Sequence, residues 1–128
     1  MKIYVAGKFE DYLAVREVQE FLEKLGHEIT FDWTPEAARG SQTYRLQSDK
    51  LANAEKDVAG VEECDALVAL GHPELYGTML EIGIAIADET PVFLVGTFRD
   101  SVFWSLPLVT KLKSPLQLLD HFGPAFDR

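Results

Sequence analysis

The stretch that decides the fold runs Ala66-Leu67-Val68-Ala69-Leu70, Gly71-His72-Pro73-Glu74-Leu75-Tyr76-Gly77, Thr78-Met79-Leu80-Glu81-Ile82-Gly83-Ile84-Ala85-Ile86-Ala87-Asp88, and then Pro91-Val92-Phe93-Leu94-Val95. Its outer runs, Ala66–Leu70 and Val92–Val95, are continuously apolar, the pattern of strands buried on both faces of a parallel sheet. Between them Thr78–Asp88 reads as a short helix, apolar almost all round, fed by the loop Gly71–Gly77. Working upstream, Lys2–Ala6 is another apolar run, stopped by Gly7. From Glu10 to Leu25 the apolar positions Ala14, Val18, Phe21, Leu22 and Leu25 share a helical face, and Gly26 is a helix-ending signal. His27–Trp33 alternates loosely as a strand. Thr34–Thr43, with Pro35 and Gly40, reads as a polar loop. Tyr44–Glu63 reads as a second helix striped by Leu51, Ala54, Val58 and Val61. Downstream the pattern predicts a turn at Arg99–Trp104, a strand near Leu108–Leu112 and a helix from Ser114 or Pro115 to Phe122.

Strand–helix alternation of this kind predicts a Rossmann-like (flavodoxin-like) α/β fold: a parallel five-stranded sheet, order 2-1-3-4-5, with helices on both faces. A length of 128 residues suits one domain spanning 1–128. Twelve Lys and Arg against 21 Asp and Glu give a formal charge of −9. That balance argues against polymeric nucleic acid and against anionic membrane, which both need a basic face, but leaves a single nucleotide possible. No apolar run approaches the ~18 residues of a membrane span, and the apolar start is too short for a signal peptide. A lone cysteine, Cys64, forms no internal disulfide, so a cytoplasmic location is expected.

Ligands in such sheets sit beyond the carboxyl ends of the strands. The loops to watch are Gly7–Phe9, Trp33–Thr43, Gly71–Gly77 and Gly96–Asp100. From them Gly7, Lys8, Phe9, Trp33, Glu74, Gly77 and Thr78 are the expected substrate contacts. Trp33 reads either as a core residue or as a platform on which a base stacks. Gly7-Lys8 lacks the rest of a phosphate-binding loop, and no G-x-G-x-x-G follows strand one, so no dinucleotide cofactor is expected. His27, His72 and His121 are scattered, and no metal site is expected.

Glu81 carries two readings. With Thr78 as helix N-cap, Glu81 stands at the third helical position and closes a capping box. Alternatively, as the only charge among apolar and glycine neighbours from Met79 to Ala87, it is a poorly solvated carboxylate kept ionised by the first helical turn, which suits a nucleophile. Asp57 interrupts the apolar stripe of the second helix, as either a structural aspartate or a reactive one. Tyr4 is a core tyrosine or the hydrogen-bond partner of a catalytic carboxylate.

At these residues the chain resembles the nucleoside 2-deoxyribosyltransferase-like superfamily. Ile3-Tyr4-Val5-Ala6-Gly7-Lys8-Phe9 is similar to its opening strand and turn. Asp57, Gly60-Val61 and Cys64-Asp65-Ala66-Leu67-Val68 are similar to its helix-then-strand signature. Gly77-Thr78-Met79-Leu80-Glu81-Ile82-Gly83 is similar to its nucleophile segment, and Val102-Phe103-Trp104-Ser105-Leu106-Pro107 to the tail of its small members. The resemblance implies that Glu81 attacks the anomeric carbon of a nucleoside, that Asp57 handles the proton and that Tyr4 holds Glu81. Where the family usually has an aspartate shortly before the nucleophile, the nearest match is Glu74. The terminal Ala125-Phe126-Asp127-Arg128 departs from the Asn or Tyr carboxylate region with which some transferases complete a neighbour's pocket. If the substrate is a nucleoside monophosphate, Lys8, Arg45, Arg99 and the Gly77-Thr78 amides are the candidate phosphate donors. The competing function is a non-catalytic nucleotide-binding or sensing module, which would not need Asp57 and Glu81 to face one cavity. The helix Thr78–Asp88, apolar on nearly every side, predicts a homo-oligomer, most simply a dimer.

Overall fold

A computed structural model describes residues 1–40 and 47–123. Five strands form one sheet: β1 (Lys2–Ala6), β2 (Glu28–Ile29), β3 (Ala66–Leu70), β4 (Val92–Val95) and β5 (Val109–Leu112). Their order is β2-β1-β3-β4-β5 and every pairing is parallel, as the apolar runs predicted. The register sets Tyr4 beside Leu67 and Leu70 beside Val95. Ile3, Tyr4, Val5, Ala6, Leu67, Val68 and Ala69 are wholly buried, because helices cover both faces of the central strands. A short 3-10 turn (Phe9–Asp11) leads into α1 (Tyr12–Lys24), which packs with α2 (Thr34–Ala38) beside β1 and β2. Helices α3 (Gln47–Glu63) and α4 (Gly77–Ala87) pack on each other and over β1, β3 and β4. The chain closes with 3-10 turns at Val102–Ser105 and Pro115–Leu118 and the short α5 (Leu119–Phe122). No helix among the described residues is long and apolar enough to cross a membrane.

The structure corrects several local readings. Helix α1 buries Val15, Val18, Gln19 and Leu22, while Ala14 is exposed; the larger Val15 turns onto the sheet in its place. Strand two is two residues long rather than seven. Beyond it Thr30 turns aside to donate from Oγ1 to the Gly60 carbonyl (2.7 Å). Asp32 then accepts from the Thr34 amide (3.0 Å) and hydroxyl (2.6 Å), which opens α2 where a loop was expected. Residues 41–43 of that loop and 44–46 of the expected second helix lie outside the described residues.

Helix α3 differs most. Leu51, Ala54 and Val58 are exposed, and of the expected stripe only Val61 is buried. The face against the sheet carries Asp57, Gly60 and Val61, about 100° round the helix from the apolar stripe. Helix α4 buries Thr78, Ile82 and Ala85 and leaves Met79 and Leu80 exposed. Leu51, Ala54 and Val58 of α3 and Met79 and Leu80 of α4 are therefore turned to solvent.

Candidate active site

The carboxyl ends of β1 and β3, with the turn before α2, surround a cavity of about 350 Å³. Glu81, Asp57, Tyr4, Gly7, Lys8, Phe9, Trp33, Glu74, Gly77 and Thr78 all border it, so the expected catalytic residues and substrate contacts meet at one place. The loop after strand four does not reach it. Phe98 and Arg99 instead border a smaller cavity of about 170 Å³ behind the loop His72–Tyr76. Arg99 is thus removed from the main cavity, and Arg45 lies outside the described residues. Glu10, Leu75 and Tyr76 also border the main cavity, and sequence reasoning did not select them. Their only signal was adjacency: Glu10 follows Phe9, and Leu75 and Tyr76 sit in the loop already marked.

Strand β1 supplies the floor. Tyr4 points to the α3–α4 side, wholly buried, and its hydroxyl donates to Glu81 Oε2 at 2.5 Å. Gly7 ends the strand where α1 crosses closely; a Cβ there would lie 2.6 Å from Val15 Cγ2. Lys8 then reaches across the mouth to the loop after β3, 3.8 Å from the Glu74 carboxylate and 3.4 Å from the Glu74 carbonyl. Phe9 and Trp33 lie nearly parallel, with ring centroids 6.4 Å apart and planes at 17°. Trp33 is a core residue that also borders the cavity. Its body is buried and its Nε1 donates to the Val5 carbonyl (2.9 Å), while one edge borders the cavity.

Glu81 does not close a capping box. Helix α4 starts at Gly77, flanked by Tyr76, so Thr78 is already inside it and makes no side-chain cap. Glu81 stands beyond the first turn and turns its carboxylate to Tyr4 instead. The helix terminus therefore does little to keep it ionised. Burial pushes its carboxyl up from 4.5 to about 7, the Tyr4 hydroxyl pulls it down, and the Asp57 charge adds to the rise.

Asp57 reaches the cavity from α3. Its Oδ1 is buried with no hydrogen-bond partner among the described residues. Burial raises its carboxyl to about 6, opposed by the Tyr4 hydroxyl. Burial, with the two carboxylates, keeps the Tyr4 phenol protonated far above neutral pH. One phenol thus lies between two carboxyl groups that titrate near neutrality, and together they hold about one mobile proton at pH 6–7. These values put that proton mostly on Glu81. In the less populated arrangement, with the proton on Asp57, the pair presents the Glu81 carboxylate to an electrophilic carbon and a proton to a leaving nitrogen. Among the described lining residues Lys8 is the one cation, already engaged by Glu74.

Comparison with known proteins identifies the family and the fold. A family model described as nucleoside 2-deoxyribosyltransferase matches residues 3–117. No curated protein gives a significant sequence match. Among solved structures, the CMP N-glycosidase BcmB of Clostridium botulinum superposes with a TM-score of 0.60 at 18% identity, covering 94% of this chain and 97% of that one. The 2-deoxyribosyltransferase of the psychrotolerant bacterium Bacillus psychrosaccharolyticus superposes with a TM-score of 0.69 at 17% identity, covering 92% and 90%. At these identities the superpositions show a shared fold.

Proposed function

The chain belongs to the nucleoside 2-deoxyribosyltransferase family, and on that premise we propose that it cleaves the N-glycosidic bond of a (deoxy)nucleoside or nucleoside monophosphate through a covalent glycosyl-Glu81 intermediate. The observation that carries this reading is the shared cavity in which Tyr4 bonds Glu81 while the partnerless Oδ1 of Asp57 is buried beside it. A non-catalytic module has no need of two poorly solvated carboxyl groups on one cavity, since each is destabilising unless used.

The reaction is a double displacement. A Glu81 oxygen attacks the anomeric carbon, the carbon–nitrogen bond breaks, and its electron pair leaves with the base, which takes a proton from Asp57. The resulting Asp57 carboxylate then removes a proton from water or from a second base, whose oxygen or nitrogen attacks the same carbon and releases Glu81. Two inversions give net retention. Tyr4 fixes the Glu81 rotamer and stabilises its negative charge when it leaves. Phe9 and Trp33 supply flat walls for a base, and Lys8 with the Gly77 and Thr78 amides faces the sugar's 5′ side.

We further propose a cytoplasmic homodimer joined through α3 and α4. Leu51, Val58, Met79 and Leu80 are all exposed on these two packed helices, with 73% of Leu80 open to water. A second copy would cover this face and stiffen the helix that carries Glu81.

The deciding experiment incubates the protein with a panel of deoxynucleosides, ribonucleosides and their monophosphates, with and without a free acceptor base, followed by chromatography. Release of base, or exchange of one base for another, is expected for some member and absent with Glu81→Ala. Turnover that survives Glu81→Ala, or no turnover of any member, overturns the reading.

A further inference from the structure

Glycine in the interior of a helix is unfavourable by roughly 1 kcal/mol against alanine, so Gly60 in the last turns of α3 needs a tertiary reason. The structure supplies one. At Gly60 the helix backbone comes down onto β1 so closely that a Cβ would lie 3.0 Å from Tyr4 Cδ1 and 3.1 Å from Tyr4 Cε1. It would also lie 2.9 Å from Phe31 Cβ. The approach is held from the side by the Thr30 hydroxyl, which donates to the Gly60 carbonyl at 2.7 Å. Asp57 precedes Gly60 by three residues and so lies on the same helical face, one turn nearer the cavity.

We infer that Gly60 is a positioning residue for the reaction centre: its missing side chain sets the depth of the Tyr4 ring, and through that rigid ring the distance from the Tyr4 hydroxyl to Glu81. This role is defined relative to the glycosidic reaction proposed above. The Tyr4 ring is wholly buried, between Gly60 and the cavity it borders. One edge faces the position a Gly60 side chain would take, and the para oxygen bonds Glu81 Oε2 at 2.5 Å. A methyl group at Gly60 meets both Phe31 Cβ and the Tyr4 ring edge, and the ring's share of the adjustment is a few tenths of an ångström. A charge-assisted O–H···O bond has its optimum at about 2.5–2.7 Å and weakens when stretched or bent, so a shift that an apolar contact would absorb disturbs this bond.

The test is a cycle of Gly60→Ala and Tyr4→Phe, read in two independent ways. The first readout is the carbon-13 NMR titration of the Glu81 carboxyl, which needs no substrate. The Tyr4 hydroxyl lowers this titration, so losing the bond raises it. Gly60→Ala is expected to raise it in the presence of the Tyr4 hydroxyl and to leave it unmoved in the Tyr4→Phe background. The second readout is turnover: Gly60→Ala lowers kcat by at least about tenfold with KM little changed, and by less than about twofold once Tyr4 is Phe. An unmoved Glu81 titration in Gly60→Ala overturns the inference, as does an effect of equal size in both backgrounds. If no substrate is ever turned over, the function proposed above fails while the titration still decides Gly60. Should Gly60→Ala not fold, Tyr4→Leu/Gly60→Ala removes the ring edge. Recovered folding supports the inference, and continued failure assigns the glycine to the Phe31 contact and overturns it.

Discussion

Glu81→Gln keeps the shape of the side chain and removes its charge, which makes it a direct probe of the buried carboxylate. In the folded protein the Glu81 carboxyl is raised from 4.5 to about 7, first by burial. The unfolded chain ionises it at the ordinary value, so the folded state holds this proton more tightly. The stability it contributes is complete below about 4.5 and is lost as pH rises through about 7. At ~1.4 kcal/mol per step of one on the pH scale, the ionised carboxylate costs the fold about 3 kcal/mol at pH 8. Gln escapes this penalty. Its carbonyl still accepts from the Tyr4 hydroxyl. Denaturant titration should therefore show the variant more stable than the parent by about 3 kcal/mol at pH 8, roughly 10 °C in Tm for this size, and within about 0.5 kcal/mol at pH 4.5. Turnover should be abolished at both values. A stability difference independent of pH would refute the argument, and so would a loss at pH 8 of the kind a broken helix cap gives.

Three further outcomes follow from the same geometry. With Asp57 raised to about 6 and Glu81 to about 7, the active form carries one proton across the pair. The kcat/KM profile is then a bell with limbs near those values, and initial rates rising or falling monotonically from pH 5 to 9 would contradict it. Leu80→Glu places a charge on the exposed outer side of α4. Light scattering at micromolar concentration should find twice 14.3 kDa for the parent and 14.3 kDa for the variant, and a monomeric, active parent removes the dimer. Glu89, just past the end of α4, has φ 58°, the left-handed region that glycine adopts without strain. Glu89→Gly is expected to stabilise the protein by about 1 kcal/mol, and a lower Tm counts against the strain.

Much of this was legible in the chain. Continuous apolar runs at Lys2–Ala6, Ala66–Leu70 and Val92–Val95 require burial on both sides, and only a parallel sheet covered by helices provides that for strands so placed. The isolation of Glu81 among apolar neighbours, and of Asp57 within an otherwise periodic helix, marked both as out of place by local rules, which is how reactive groups read in sequence. Tertiary structure decided the rest. Periodicity reports that a helix has an apolar stripe but not which way the stripe turns. Packing of α3 onto β1 through Gly60 turned Asp57 inward and left Leu51 and Val58 outside. The T-x-x-E spacing at Thr78 and Glu81 satisfied a capping rule, yet Tyr4, 77 residues away in the chain, took the carboxylate. A hydrogen bond between such distant residues exists only once the sheet has brought β1 and α4 together. So does the depth at which Glu81 is buried, and with it the near-neutral titration on which the proposed chemistry depends.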